Sequence, residues 1–308
     1  MPVCAIPLSA LREGKPPSAE QARVWCERLE AGEILYFPET PVPIPADDLR
    51  FLLEQRQTGS GLHKNIAYKP VRDQLSGVDE KSTNAAEVEQ LRAVMRRYSA
   101  SVTAFLKDFL APYEQRWLLD YASFRPLEEQ GRDLALRKRN DMLHTDAFPT
   151  RPTRGRRILR FFHNIHPTRT RDWVVSEPFA RVVGAFAPGR LAIPHADGRM
   201  AGAGKRLAQA VGLANIVPQL KRTPYDQFMM ELHNAMKENA EFQRDCVKES
   251  VNFPPGSSWM VYTETVPHAV LAGQYALEQT FLIDRAAMVT PESAPVAILE
   301  KLAGARLV

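Results

Sequence analysis

The sequence predicts an α+β fold, in which one β-rich domain carries helices on its outside. Short segments with strand character lie before and after a more helical stretch of about residues 176–250. The 308 residues are enough to bury one large core, and no internal repeat or low-complexity segment divides them. Short strands around a helical insertion are typical of one domain rather than two, so we expect residues 1–308 to fold as a single unit.

The N-terminal third, residues 1–115, is predicted to be mostly helical. A capping box at Ser18 predicts a helix that ends near Glu30. A longer helix is expected over Val88–Leu110, because its apolar residues recur near helical spacing. This part is expected to support a core formed by residues 116–290.

The remaining chain has the local patterns of strands, together with one strong helix start. Strands are expected at 134–146, 157–165, 172–175, 257–263, 267–271 and 275–283. Within the insertion, Thr223 is a suitable N-cap and Pro224 suits the first helical position. The apolar stripe that follows predicts a helix packed against a sheet.

Composition describes an ordinary globular protein with a modest basic charge. Hydrophobic residues make up 44% and charged residues 25%, and the net charge of +4 favours anionic partners. Three cysteines without paired spacing predict a reduced, cytosolic compartment. We see no signal peptide and no run of roughly 18 apolar residues, so any membrane contact is expected to be peripheral.

The most informative motif is His144-Thr145-Asp146, followed at long range by His268. Alternate residues of a strand point to the same side, so His144 and Asp146 are expected to face one ion. Two histidines and one carboxylate form the facial triad of non-haem Fe(II) oxygenases. Zinc is the alternative, although zinc sites more often use three histidines, two histidines with glutamate, or cysteine.

The third ligand must come from the other histidines of the chain. These are His63, His163, His166, His195, His233 and His268. His268 is favoured because it begins a strand, and a late strand of a jelly roll returns beside an early one. A second His-x-Asp pair, His195 with Asp197, lies between proline and glycine and is less suited to a strand. His233 is expected to be a surface or packing residue of its helix.

Arginine is dense between residues 125 and 171. Its planar fork binds carboxylates with two hydrogen bonds, so these arginines predict an acidic substrate or cosubstrate. Arg160 shares a strand face with Asn164 and two apolar residues, where an arginine is costly to bury without an anion. Arg160 is therefore the candidate carboxylate anchor, with Arg156 and Arg157 as alternatives.

Five stretches have a recognisable local sequence: Ser123–Pro126, Arg139–Pro149, Arg151–Arg160, His268–Tyr275 and Glu278–Phe281. They resemble the Kdo 3-hydroxylase family, whose members are Fe(II)- and 2-oxoglutarate-dependent dioxygenases acting on the Kdo sugar of bacterial lipopolysaccharide. The resemblance extends over about residues 120–285. It implies a double-stranded β-helix, a jelly roll of the cupin type, with flanking helices and a helical insertion.

The resemblance also implies a site and a reaction. His144, Asp146 and His268 match the iron ligands, and 2-oxoglutarate and O₂ are the implied cosubstrates. The implied product is the C3-hydroxylated sugar, Ko, in Kdo-lipid A at the cytoplasmic face of the inner membrane. In many related oxygenases, a base some ten residues after the last histidine pairs with the far carboxylate of 2-oxoglutarate, but here residues 277–279 contain no Lys or Arg. Another branch places that base on the strand after His-x-Asp, which fits Arg160. Asn164 is the second candidate for the cosubstrate. The candidates for the anionic substrate are Arg137, Arg139, Arg151 and Arg154.

Two other functions are compatible with these residues. The same iron site would serve a dioxygenase of another acidic metabolite or glycan. A non-catalytic cupin-like protein would use the arginines to bind an anionic glycolipid or nucleic acid. Nucleic acid is not expected, because the basic segment lacks helix-turn-helix, zinc-finger and RNP patterns.

Overall fold

The computed structural model describes residues 3–11, 16–55, 65–78, 84–186, 191 and 222–308. Within these ranges, eleven strands form two sheets, and seven α-helices accompany them. The strands are β1 (Val3–Ala5), β2 (Ile34–Phe37), β3 (Ile66–Lys69), β4 (Gln74–Ser76), β5 (Trp117–Arg125), β6 (Arg157–Asn164), β7 (Arg171–Val175), β8 (Glu249–Phe253), β9 (Ser258–Tyr262), β10 (His268–Ala272) and β11 (Ala276–Ile283). The helices are α1 (Ala19–Glu30), α2 (Ala46–Glu54), α3 (Ala85–Phe109), α4 (Phe179–Phe186), α5 (Pro224–Glu238), α6 (Ala240–Asp245) and α7 (Pro295–Ala303).

The larger sheet is mixed and has the strand order β1-β2-β9-β6-β11-β5-β3-β4. Only the β1–β2 pair is parallel among the described strands. The smaller sheet has the antiparallel order β10-β7-β8. A large mixed sheet with flanking helices confirms the predicted combination of a β-rich core and outer helices.

The predicted helix starts are present, and side chains cap them. Ser18 Oγ accepts a hydrogen bond from the backbone N–H of Gln21 at the start of α1. At α5, Thr223 and Asp226 each accept from the other's backbone N–H, which forms a complete capping box. Each cap satisfies a helix N–H group that otherwise lacks a partner.

Strand β6 explains how the large sheet separates two apolar clusters. Leu159 and Phe161 point to the helix-covered side, where they belong to the largest cluster together with side chains of α1 and α3. Phe162 points the other way and packs with Trp173 of β7 and Trp259 of β9. Alternation along one strand therefore supplies both the helix-packed core and the layer between the two sheets.

The predicted strand over 134–146 is wrong. The segment has a short 3-10 turn, Leu136–Lys138, and meets the small sheet at an isolated bridge between His144 and His268 and at a hydrogen bond from the N–H of Val270 to the carbonyl of Asn140. Much of its backbone bonding is made to side chains of α5 and α6 and to the start of β10 rather than to a continuous ladder. Strand β5 was not predicted, since its place depends on pairing with β11 and β3.

The N-terminal third is mostly helical, but it also extends the large sheet at both ends. Strands β1 and β2 extend the sheet beyond β9, and β3 and β4 extend it beyond β5. His63, His195 and Asp197 lie outside the described residues. No helix in the described ranges combines the length and apolar character needed to cross a membrane.

Candidate metal centre

The backbone brings the two halves of the motif together at the end of the small sheet. The N–H of His144 donates to the carbonyl of His268 at 3.1 Å, and the N–H of His268 donates back at 2.9 Å. The N–H of Asp146 donates to the carbonyl of Thr263 at 2.9 Å, beyond the end of β9. One ligand atom from each of His144, Asp146 and His268 lies within 4.8 Å of the other two.

Both histidine rings are oriented by a carbonyl two residues earlier. Nδ1 of His144 lies 2.7 Å from the carbonyl of Met142, and Nδ1 of His268 lies 2.9 Å from that of Val266. A carbonyl can only accept, so each Nδ1 carries the proton and each Nε2 keeps its lone pair. Metal-bound histidines are commonly held in this way.

Burial and neighbouring charges set the ionisation of the three groups. Burial, together with His268, holds the pKa of His144 well below its usual range, and burial also lowers the pKa of His268. Burial alone would raise the pKa of Asp146, but Arg160 and His268 bring it below the ordinary value. Two neutral imidazoles and a carboxylate are the forms that bind a divalent ion, so the residues fit iron.

Side chains of the helical insertion form hydrogen bonds with the backbone of residues 143–145, which lie beside the candidate metal ligands. Gln243 of α6 accepts from the N–H of Leu143 at 3.0 Å and donates to its carbonyl at 2.8 Å. His233 of α5 donates from Nδ1 to the carbonyl of Thr145 at 2.7 Å. These contacts replace the strand ladder that residues 143–145 lack.

His233 is a functional candidate that the sequence interpretation treated as a surface or packing residue of its helix. Its ring centre lies 5.0 Å from that of His144, and its side chain lines a cavity that His144 and His268 also line. The available signal was helical spacing, because Met229, four residues earlier, is a buried residue of the apolar stripe.

The candidate ligands open into a cavity of about 270 Å³. Trp173 lies against this cavity, with its ring stacked on His268 at 5.0 Å. Its lining is strongly cationic. The basic residues are Arg125, Arg137, Lys138, Arg160, Arg171 and Lys237.

Arg160 links the candidate ligand Asp146 to a buried ion-pair network. Its Nε lies 3.2 Å from Oδ2 of Asp146, and its Nη1 lies 3.3 Å from Glu278. Glu278 also accepts from Arg125 Nη2 at 2.6 Å and is 2% exposed. The Nε of Arg125 is buried without a hydrogen-bond partner, which leaves a donor available beside this network.

Arg171 lies on β7 of the small sheet and is 1% exposed. It donates to the carbonyl of Gly273 at 3.1 Å and lies 3.4 Å from Glu129. Burial, and then the charge of Arg125, lower the pKa of Arg171 to about 10. Its Nε and the indole N–H of Trp173 are further buried donors without partners, and both residues line the cavity.

The other candidates for binding the cosubstrate have structural partners. The amide nitrogen of Asn164 donates to the carbonyls of Arg169 and Phe253, each at 2.9 Å, and its oxygen accepts from the N–H of His166. Asn164 therefore has little capacity for a ligand. Arg157 pairs with Glu264 in the core, away from the cavity lining.

Of the four arginines predicted for the substrate, only Arg137 lines the cavity. Arg139 pairs with its neighbour Asp141, and Arg151 pairs with Asp120. Arg154 also lies outside the lining. Strand alternation predicted Arg160, but the contributions of Arg125, Arg171 and Lys237 depend on distant pairings that the sequence pattern did not indicate.

Comparison with known proteins supports the same chemistry. The family model described as 3-deoxy-D-manno-oct-2-ulosonic acid (Kdo) hydroxylase matches residues 12–306. Crystal structures of the Kdo hydroxylase KdoO, a non-haem Fe(II) α-ketoglutarate-dependent dioxygenase, match 100% of this chain and 98% of theirs. The complex with α-ketoglutarate and Fe(III) has 32% identity and a TM-score of 0.83, and the cobalt(II) complex has 33% and 0.84. A comparison with curated protein sequences gives no match.

The fold and the site therefore define a non-haem Fe(II)- and 2-oxoglutarate-dependent dioxygenase. The match over nearly the whole chain is decisive for the narrower assignment. The chain belongs to the Kdo hydroxylase family. This finding confirms the family and the enzyme class that the sequence stretches predicted.

Proposed function

We propose that this enzyme hydroxylates C3 of the Kdo sugar in Kdo-lipid A, giving Ko, with Fe(II), 2-oxoglutarate and O₂. The observation that carries the proposal is the convergence of His144, Asp146 and His268 on a buried cationic cavity. The family description supports a Kdo-containing substrate. The KdoO complexes with α-ketoglutarate and with succinate support the cosubstrate.

The proposed fold is a double-stranded β-helix within one domain of residues 1–308. Four strands of the large sheet, in the order β5-β11-β6-β9, are opposed by the order β10-β7-β8. The bridge at His144 extends the smaller sheet beyond β10. Two opposed antiparallel layers with long connections support a jelly roll.

In this proposal His144, Asp146 and His268 hold the metal. When bound, ferrous iron supplies O₂ activation coupled to the oxidative decarboxylation of 2-oxoglutarate. The protein keeps both Nε2 atoms unprotonated through the Nδ1 hydrogen bonds. Arg160 keeps Asp146 ionised, because its positive charge lies 3.2 Å from the carboxylate.

Arg160, with Arg125 and Arg171 beside it, is proposed to receive the far carboxylate of 2-oxoglutarate. These three cations face two buried carboxylates that do not belong to the metal site, Glu278 and Glu129. The Nε atoms of Arg125 and Arg171 have no hydrogen-bond partner and are available to donate. A carboxylate supplies the acceptors that these donors lack.

The anionic glycolipid is proposed to approach past Arg137 and Lys138, which are exposed beside the cavity. Kdo-lipid A carries carboxylate and phosphate groups that such side chains bind. The substrate implies peripheral contact with the cytoplasmic face of the inner membrane.

The direct test is turnover of purified Kdo-lipid A with the purified enzyme, Fe(II), 2-oxoglutarate and O₂. We expect a Kdo fragment heavier by one oxygen atom in mass spectra, together with one succinate per product. Nuclear magnetic resonance of the released sugar should place the new hydroxyl on C3. If the enzyme converts 2-oxoglutarate to succinate but leaves the sugar unmodified, the substrate would instead be another acidic metabolite or glycan. Binding of the glycolipid without any decarboxylation would favour a non-catalytic protein.

A further inference from the structure

Lys237 is a buried cation in the cavity, and the carboxylates of Asp146 and Asp141 act on it only at longer range than an ion pair. The residue is 3% exposed, and its Nζ donates to the backbone carbonyl of Arg137 at 3.1 Å. Within the described part of the chain, it makes no ion pair with a carboxylate. Burial lowers the pKa of Lys237 to about 8, so the ammonium form still predominates at neutral pH.

The arginines that line the same cavity, unlike Lys237, form ion pairs with carboxylates. Arg125 and Arg160 pair with Glu278, and Arg171 pairs with Glu129. Arg137, at the exposed side, pairs with a carboxylate of α5. A buried cation without an anionic partner is costly, and a ligand anion removes much of that cost.

Helix α5 holds Lys237 close to the candidate metal ligands. His233, one turn earlier, donates to the carbonyl of Thr145, and Met236 Sδ accepts from the hydroxyl of Thr145 at 3.9 Å. Residues four apart share a helix face, so His233 and Lys237 line the cavity together. The contacts to Thr145 fix this face relative to the segment that carries His144 and Asp146.

We propose that Lys237 is a specificity-determining residue that binds the carboxylate of the sugar-acid substrate. This inference rests on the proposed function, which supplies a substrate with a carboxylate near the hydroxylated carbon. The cation is carried by α5, whereas the arginines proposed for 2-oxoglutarate are on β5, β6 and β7. Separate elements thus supply separate cations for the two acids. His233 is a positioning residue here, because it acts through Thr145.

The test compares the methyl ketoside of Kdo with its methyl ester, in which the carboxylate charge is removed. Binding is measured by titration calorimetry on the anaerobic enzyme loaded with Fe(II) and 2-oxoglutarate. We expect the unmodified enzyme to prefer the acid by about 10- to 100-fold, as a charge-assisted hydrogen bond would give. Lys237→Met should reduce this ratio to near one, whereas Lys237→Arg should retain most of it.

Controls separate a binding role from a structural one. Lys301→Met changes an exposed lysine of α7 and should leave the ratio unchanged. Lys237→Met should unfold at the same or a higher temperature and keep its 2-oxoglutarate affinity, because it removes a buried charge that no carboxylate pairs with directly. If Lys237→Met does not fold, Lys237→Gln preserves a donor for the Arg137 carbonyl and removes the charge.

The outcomes distinguish the inference from the function on which it rests. An undiminished preference for the acid in folded Lys237→Met or Lys237→Gln overturns the role of Lys237 and leaves the proposed function intact. If the unmodified enzyme does not bind either of the two test sugars and does not hydroxylate Kdo-lipid A, the proposed function fails and the inference fails with it.

Discussion

Individual side chains in this cavity have charge states that follow from burial and from one or two partners. Asp146 stays ionised because Arg160 and His268 outweigh its burial. The two candidate histidine ligands stay neutral, and backbone carbonyls fix which nitrogen is available.

Arg160→Met is expected to weaken 2-oxoglutarate binding by about 10- to 100-fold, because it removes the proposed carboxylate partner. Anaerobic titration of the Fe(II) enzyme, read from the metal-to-ligand charge-transfer band, measures this affinity. Arg156→Met is the matched control, since Arg156 makes only a 3.9 Å ion pair with Asp284. His268→Ala should abolish the band altogether. An unchanged midpoint in Arg160→Met would assign the carboxylate to another residue.

His163 provides a prediction about pH that does not involve the cavity. Burial lowers the pKa of His163 to about 4, whereas an unfolded histidine titrates near 6.5. The unfolded state therefore binds the extra proton between these values, and stability is lost as pH falls from about 6.5 to 4. Removing the group should flatten this loss by up to about 1.4 kcal/mol per pH unit.

Denaturant unfolding at pH 7 and pH 5 compares the enzyme with His163→Leu. We expect a smaller difference between the two pH values in the variant. Equal losses in both proteins would show that His163 does not control this dependence.

At the scale of elements, side chains of α5 and α6 make hydrogen bonds to the backbone of residues 143–145 that a neighbouring strand would otherwise make. The segment around His144 has one bridge to β10, and Gln243 and His233 hold its backbone at Leu143 and Thr145. A helical insertion thus determines the position of two candidate ligands that a strand pattern alone would have assigned to a ladder.

Gln243→Ala should lower the affinity for Fe(II) by about 10- to 100-fold, the usual effect of removing a residue that orients metal ligands. The N–H and carbonyl of Leu143 would lose their side-chain partners, and the ligand segment would gain freedom. Competition with a metal chelator measures the affinity. Gln227→Ala, at an exposed position of α5, should behave like the unmodified protein. Equal affinities in the two variants would contradict a role of α6 in ordering the site.

At the scale of the whole molecule, the large sheet packs against one apolar cluster on each of its two sides. Its helix-covered side packs with α1 and α3, and its other side packs with the small sheet. Strands from the N-terminal third extend the same sheet. This continuity supports one cooperative unit rather than an independent helical support.

Thermal unfolding is therefore expected to show one transition, and Fe(II) should raise its midpoint under anaerobic conditions. A ligand at 100 times its Kd stabilises the native state by about 2.7 kcal/mol. Calorimetry with and without a chelator measures the shift, and His268→Ala should show none. Two separate transitions would contradict the single-domain proposal, and a metal shift retained in His268→Ala would contradict the ligand assignment.

The sequence by itself determined the helix starts at Ser18 and Thr223, the strands β6, β7, β9, β10 and β11 but not β8, and the family. It also indicated His144, Asp146 and His268 as ligand candidates. These features depend on local capping, on period-two alternation and on specific short motifs, so they can be read along the chain. Arg160 became a candidate through the same alternation.

Only the tertiary structure decided which distant groups share the cavity. Lys237 and His233 are placed there by the packing of α5 against residues 143–145, and Arg125 by the pairing of β5 with β11. The same packing left residues 134–146 without a strand. Hydrogen bonds and ion pairs between residues far apart in sequence have no periodic signal, which is why these positions required the folded chain.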